Sequence, residues 1–227
     1  YIPTYLQMAL GVSATVAGLL MIPMMGVMLV VSIVTGRLVS KTGRYKRYVT
    51  TGTAVVALGL FLLSTVNVDT PTWLFCIYLA VMGAGLGMSM QFLTLIVQNA
   101  FPVSVVGTAT AANNFFRQVG ATVGASLVGG LFTSRLTSLI SERMPQQALQ
   151  SSGSHASSSL TPELVASLPE PVHGIIVNAY NDALIPLFLY LVPLGLVSTL
   201  LLFFIREDAL ATTIETHTTT DVARSAT

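Results

Sequence analysis

The chain alternates long apolar stretches with short polar connections. Each long stretch is close to the roughly 20 residues that a helix needs to cross about 30 Å of hydrocarbon, and none shows the alternation of a barrel strand. Because only helices and closed barrels satisfy their backbone inside a bilayer, the pattern predicts an all-α, polytopic transmembrane helix bundle. The predicted spans are residues 17–36, 49–66, 73–97, 105–133 and 183–205, preceded by residues 1–10 as the remnant of a further span.

The polar segments divide the chain into four parts. These are residues 1–134 with a partial first helix and four spans, residues 135–181 as an extracytoplasmic loop, residues 182–205 as the last transmembrane helix, and residues 206–227 as a disordered cytoplasmic tail. Within the loop, Thr161-Pro162-Glu163 has the cap, proline and acidic first turn of a short helix. The chain opens on Tyr1, and we interpret it as a fragment whose first dozen residues are the tail of a membrane helix.

Cations are concentrated in the connection between the first two complete spans. Five of the ten Lys and Arg residues lie between Gly36 and Arg47. Because cations clustered beside an apolar span stay on the cytoplasmic side during insertion, this connection predicts the orientation of every later span. In that orientation the internal segments hold seven Lys or Arg residues, the external ones hold Arg135 and Arg143, and Arg117 lies within the membrane.

The composition excludes several classes of function. Hydrophobic residues make up 53% of the chain, charged residues make up 8% and the mean hydropathy is +0.77. A soluble domain carries roughly 25% charged residues, so we expect a membrane protein that does not bind nucleic acid. With a single cysteine, Cys76, scattered histidines and no Gly-rich nucleotide loop, the sequence predicts no disulfide, no metal site and no use of ATP.

The cation-rich connection reads Gly36-Arg37-Leu38-Val39-Ser40-Lys41-Thr42-Gly43-Arg44. It resembles the loop signature of the major facilitator superfamily, Gly-x-Leu-x-Asp-Arg/Lys-x-Gly-Arg-Arg/Lys, in the copy found in the second half of such proteins. In that family the carboxylate and cations of the loop hold neighbouring helix ends together in one conformation, and Ser40 stands where the carboxylate usually is. The resemblance assigns to a cytoplasmic loop motif the residues Gly36, Arg37, Lys41, Gly43 and Arg44.

A second resemblance covers the later spans. Gln98-Asn99-Ala100-Phe101-Pro102, Gly107-Thr108-Ala109 and Phe116-Arg117-Gln118-Val119-Gly120 with Gly124 are similar to the penultimate helix of the fourteen-helix drug:proton antiporter family. The segment from Tyr180 to Phe188 resembles the final helix of its actinobacterial members. The resemblance implies the C-terminal half of a major facilitator superfamily fold, in a bacterial plasma-membrane exporter of hydrophobic or amphiphilic drugs that is driven by re-entering protons.

The same resemblance implies the partners. They are the lipid bilayer, a small amphiphilic substrate and the missing N-terminal half of the same protein, which would also carry the proton-binding carboxylate. No cofactor is expected beyond the proton gradient. Two alternatives stay open, an exporter of a lipid, siderophore or amino acid and a non-transporting membrane scaffold module. An enzyme is not expected, because no cluster of His, Asp, Glu or Ser lies at a predicted membrane face.

Arg117 is the one formal charge deep inside a predicted span. At about 1.5 Å per residue it lies about 15 Å from Gly107, where a cation costs at least about 2.5 to 3.5 kcal/mol unless it faces a cavity or a partner. The residues that share or widen its helical face are Asn113, Asn114, Gln118, Gly120 and Gly124. Two interpretations stay open: Arg117 lines a central substrate cavity, or it hydrogen-bonds helix-end carbonyls and braces the bundle.

Small and polar residues give further candidates. Gly83 and Gly87, and likewise Gly120 and Gly124, are spaced to bring helix backbones close together. Gln91 and Gln98, with Thr94 between them, form a polar stripe that either wets a substrate path or joins two helices.

Four residues of other types complete the predictions. Pro23, Pro186 and Pro193 lie inside predicted spans and should kink them. Asp182 lies near the outer end of the last span, where we interpret it as a surface residue or a helix cap.

Overall fold

The computed structural model describes residues 2–67, 70–143, 165 and 172–204. Within these ranges the regular structure is entirely helical, as the sequence predicts. The helices are α1 (Ile2–Leu10), α2 (Ala14–Leu19), α3 (Ile22–Thr42), α4 (Lys46–Leu63), α5 (Thr72–Ala100), α6 (Val106–Arg143) and α7 (Val172–Phe204).

Five segments of the structure are long and apolar enough to cross a membrane. The first, Ala14–Thr42, comprises α2 and α3, and the others are α4, α5, α6 and α7. They correspond one to one with the five predicted spans. The structure therefore confirms an all-α bundle of membrane-length helices.

The first predicted span is built from two helices rather than one. The α2 helix starts after Ser13, whose side chain accepts a hydrogen bond from the Val16 backbone N–H at 3.4 Å. It ends where the Met21 N–H donates to the Gly18 carbonyl at 3.1 Å. This bond spans three residues, whereas the bonds of an α-helix span four. Pro23 lies at the second position of α3, where no intrahelical N–H bond is needed, so it begins a helix instead of kinking one.

The other two prolines lie where the sequence predicts. Pro186 and Pro193 are both inside α7. Each removes one backbone donor from the helical ladder, so α7 has two weakened points along its length.

The cation-rich connection is mostly helical, which corrects its prediction as a loop. The α3 helix continues through Gly36, Arg37 and Lys41 and ends at Gly43, whose φ of +67° is the left-handed value typical of a C-cap. Only three residues separate α3 from Lys46, the first residue of α4. Arg and Lys are good helix formers, so the helix does not end where the cations begin.

Both α6 and α7 extend beyond their predicted ends at residues 133 and 183. At the predicted end of α6 and in its added part, Phe132, Leu136 and Ile140 are buried at spacings of four residues. The Phe132 ring lies 4.9 Å from the ring of Tyr180, in the added part of α7. Hydropathy ends a span where charges appear, whereas an amphipathic helix continues while one face stays packed. The short helix predicted after Thr161 and the tail 206–227 lie outside the described residues.

Helix α5 lies at the centre of the bundle, between α3 and α4, and α7 packs on both α4 and α6. Gly83 and Gly87 lie directly against the backbone carbonyls of Met24 and Met28 in α3, and a Cβ at either glycine would overlap them. Gly85 points the other way, where a Cβ would lie 2.6 Å from a backbone nitrogen of α4. Glycines on opposite faces of α5 thus hold α3 and α4 at backbone contact.

Two apolar clusters lie at opposite ends of the bundle. The larger includes Leu63 at the end of α4 and Leu79 near the start of α5. The smaller includes Val39 near the end of α3 and Val49 near the start of α4. The exposed surfaces of α3, α6 and α7 carry many large apolar side chains, which is the arrangement expected of a protein in lipid.

Candidate functional site

The polar patch predicted on α6 is present and is not covered by the rest of the described chain. Arg117 is exposed, and its Nη2 donates a hydrogen bond of 3.2 Å to Oδ1 of Asn114, one turn earlier on the same helix. Asn113 is half-buried, and Gln118 is exposed beside Arg117. The four side chains occupy adjacent positions on one side of α6, so the helix presents amides and one cation together.

The patch lies along the uncovered part of α6. Eleven residues at about 1.5 Å each place Arg117 about 16 Å along the axis from the first residue of the helix. The buried residues of α6 all lie in its last third, beginning at Phe132. Phe115 and Phe116, next to the patch, are 63% and 71% exposed. The first two thirds of α6 therefore present a surface that is both polar and apolar and that the described residues do not cover.

The two glycine pairs have different surroundings. Gly83 and Gly87 pack α5 against α3, as described above. Around Gly120 and Gly124 no described atom lies within 4 Å of an added Cβ, so the helix contact predicted there is not made by the part of the chain that the structure describes. The described residues hold α6 further along, by its larger side chains, so the packing role of Gly120 and Gly124 stays a prediction.

The glutamine stripe on α5 is only partly described. Gln98 is exposed and lies two residues before the last residue of α5, and Thr94 is half-buried. The side chain of Gln91 lies outside the described residues. Gln98 is therefore near a membrane end, whereas Arg117 lies well along α6, and the two candidates occupy different depths.

A second polar group joins α6 to α7 at the end of the bundle where α4 also ends. Nη1 of Arg143 lies 2.7 Å from Oδ2 of Asp182, and both side chains are a little under half exposed. Asp182 is inside α7 and is paired, so its interpretation as a helix cap was wrong. A pocket of about 400 Å³ beside the pair is also lined by Asn67, Arg135 and Asn181.

The buried amide Asn181 ties this end to α1. Its Oδ1 accepts a hydrogen bond of 2.8 Å from the Tyr5 hydroxyl, and it is 7% exposed. Sequence reasoning missed this contact and the Arg143–Asp182 pair. The available signal was that Arg143 lies within the predicted external loop and that Asp182 directly follows it.

The opposite end of the bundle carries the cation cluster. Nζ of Lys46 lies 5.6 Å from the centroid of the Phe203 ring, which brings the end of α7 next to the start of α4. The loop-motif residues Gly36, Arg37 and Lys41 lie on α3, and Gly43 and Arg44 lie in the turn that follows. The carboxylates within the described ranges, Glu142 and Asp182, are both at the other end.

These features define a class of protein. Five membrane-length helices, apolar outer faces and a charged group at each end are the properties of a multi-pass integral membrane protein. The family model described as the Major Facilitator Superfamily matches residues 1–125. The chain belongs to the major facilitator superfamily, a class of transporters rather than of enzymes.

Similar proteins extend the sequence match beyond residue 125 into the later helices. An uncharacterized MFS-type transporter of Mycobacterium tuberculosis is 38% identical over 91% of this chain and 29% of its own length. The multidrug transporter protein MdtP of Bacillus subtilis is 35% identical over 63% of the chain and 26% of its own length. The tetracycline resistance determinant of Streptomyces rimosus is 32% identical over 56% of the chain and 37% of its own length. The chain thus spans about a third or less of the length of these curated relatives.

Proposed function

We propose that this chain forms the C-terminal part of a secondary active exporter of hydrophobic or amphiphilic compounds in the bacterial plasma membrane. The observation that carries the proposal is the polar patch around Arg117, which lies on a membrane-length helix and is left open by the described residues. Relatives named as a multidrug transporter and a tetracycline resistance determinant support drugs as the substrate class.

The surroundings of Arg117 favour a cavity over a brace. A cation at the depth of a bilayer centre costs at least about 2.5 to 3.5 kcal/mol, so it needs water or a polar partner. Its hydrogen-bond partner among the described residues is Asn114 on its own helix, and this contact ties α6 to no other helix of the chain. The patch therefore faces a cavity shared with the remainder of the protein. There Arg117 orients a polar or anionic group of the substrate, while Phe115 and Phe116 lie close by on α6.

Proton coupling needs a titratable group that changes its exposure during the cycle. Neither Glu142 nor Asp182, the carboxylates in the described ranges, lies near the middle of its span. We therefore assign the proton-carrying carboxylate to the missing N-terminal half.

The complete protein tests the proposal after reconstitution into vesicles with an imposed pH gradient. Export of a fluorescent cationic dye should require the gradient and should stop when the gradient is collapsed. Dye movement that does not depend on the gradient would contradict proton coupling. Vesicles that transport a lipid or an amino acid but not the dye would show that the substrate class is wrong.

Arg117 gives the sharper test. For an amphiphilic dye that carries a carboxylate, Arg117→Gln should lower the export rate about tenfold or more, since a hydrogen bond to a charged group contributes about 1.5 to 3 kcal/mol. Arg117→Lys should keep part of the rate because it keeps the cation. Arg135→Gln removes the same charge from the far end of α6 and serves as the matched control. Normal export by both Arg117 variants, at equal protein levels, would contradict the cavity role.

A further inference from the structure

The turn between α3 and α4 forms a basic pocket that the transport proposal does not use. It has a volume of about 380 Å³ and is lined by Thr42, Arg44, Arg47 and Tyr48. Both arginines are exposed, and neither forms an ion pair with a residue of the described ranges. The pocket therefore holds two cations whose charge is not compensated by any described carboxylate.

The walls of this pocket are held in place by three contacts. Gly43 closes α3 with its left-handed conformation, and its N–H donates to the Val39 carbonyl at 2.8 Å. Tyr45 is 3% exposed and belongs to the smaller apolar cluster. The Lys46 ammonium over the Phe203 ring adds the end of α7. Arg44 thus extends from a turn, and Arg47 from the first turn of α4, whose backbone is fixed by packing.

An apolar stripe on α3 leads to the same pocket. Val30, Val34 and Leu38 are 58%, 48% and 40% exposed, and they repeat every four residues along one side of the helix. The next residue in that series is Thr42, which lines the pocket. The series follows a membrane-length helix, so the stripe runs from the bilayer interior to the level of the basic turn.

We propose that the pocket binds the phosphodiester headgroup of an anionic phospholipid, with one acyl chain lying along the α3 stripe. Arginine is suited to this role because its planar guanidinium gives two parallel hydrogen bonds to phosphate oxygens. Tyr48 is half-buried, as expected of a tyrosine at the level of lipid headgroups. Basic pockets between membrane helices bind headgroups of this kind. A free phosphate would satisfy the arginines but would leave the apolar stripe without a role.

Competitive binding to the complete protein in mixed micelles tests the proposal. A phosphatidylglycerol with a fluorescent acyl chain should bind more tightly than phosphatidylcholine with the same chain. Arg44→Gln and Arg47→Gln should each weaken phosphatidylglycerol binding about fivefold, the factor expected for one cation near an anionic headgroup. Arg37→Gln is the matched control, because Arg37 is an exposed cation at the same end of α3 but outside the pocket, and its loss should be less than about twofold.

Other outcomes overturn the proposal. Equal affinity for the two headgroups in the unaltered protein excludes a headgroup site without any variant. Equal losses for Arg37, Arg44 and Arg47 indicate a diffuse basic surface rather than a pocket. If millimolar inorganic phosphate, or glycerophosphoglycerol without acyl chains, displaces the lipid as well as unlabelled phosphatidylglycerol does, the site takes a free anion and not a lipid.

Discussion

Tyr5 and Asn181 form a hydrogen bond between residues 176 positions apart in the sequence. The acceptor is buried, and a buried polar group left without a partner costs about 1 to 3 kcal/mol. The Arg143–Asp182 pair at the same end is nearly half exposed, and pairs of that kind contribute about 1 kcal/mol or less. Of these two contacts, the neutral hydrogen bond between α1 and α7 therefore contributes more to the stability of the fold.

Replacing Tyr5 with phenylalanine tests this ranking. Tyr5→Phe should lower the free energy of unfolding of the complete protein by about 1 kcal/mol or more, because the Asn181 oxygen loses its donor in a buried site. Chemical denaturation in mixed micelles measures the change. Tyr78→Phe is the control, since Tyr78 packs against the same cluster, and it should change stability by less than about 0.5 kcal/mol. Equal effects of the two variants would contradict the role of the hydrogen bond.

Single residues differ in how far the sequence predicts them. Arg117 stands out because it is a lone charge in an apolar stretch, and the structure places it in an open polar patch. The partners of Tyr5 and Asp182 were not predictable, because they depend on which helices become neighbours and the sequence carries no local signal for that. For Asp182 the sequence indicated a surface position, which its partly exposed side chain fits, but not its pairing with Arg143.

At the scale of helices, apolar length predicts the spans well and their ends poorly. The five spans follow from the transfer energy of apolar residues into lipid, which does not depend on the neighbours. The ends of α3, α6 and α7 depend on local packing and on capping, as at Gly43 and Phe132. Glycine spacing was an equally incomplete guide, since it indicates that two backbones can approach but not whether a second helix is there.

The two glycine pairs make a prediction at this scale. Gly83→Ala should destabilise the protein by about 1 to 3 kcal/mol, because its Cβ would overlap the backbone of α3 and force the helices apart. Gly120→Ala places the same methyl group in open space and should change stability by less than about 0.5 kcal/mol. Unfolding in mixed micelles compares the two variants, and a larger loss for Gly120→Ala would contradict the described packing.

For the whole molecule, the two charged ends predict a topology that labelling can check. With Cys76 replaced by alanine, Ser141→Cys near the Arg143–Asp182 end should react with an impermeant maleimide added to intact cells. Ser40→Cys near the basic end should react only after the cells are permeabilised. Both serines are exposed in the structure, so access to the reagent depends on the side of the membrane. The reverse pattern would invert the proposed orientation and would place the basic pocket in the outer leaflet.

The unequal anchoring of α6 has a consequence for how this helix bundle deforms. Helix α5 touches both α3 and α4 backbone to backbone, so the three helices resist sliding and should move as one rigid block. The α6 helix packs on its neighbours through Phe132, Leu136 and Ile140 in its last third, and the longer part that precedes them carries no buried residue. We expect that part of α6 to bend more readily than the block of α3, α4 and α5, which keeps its shape.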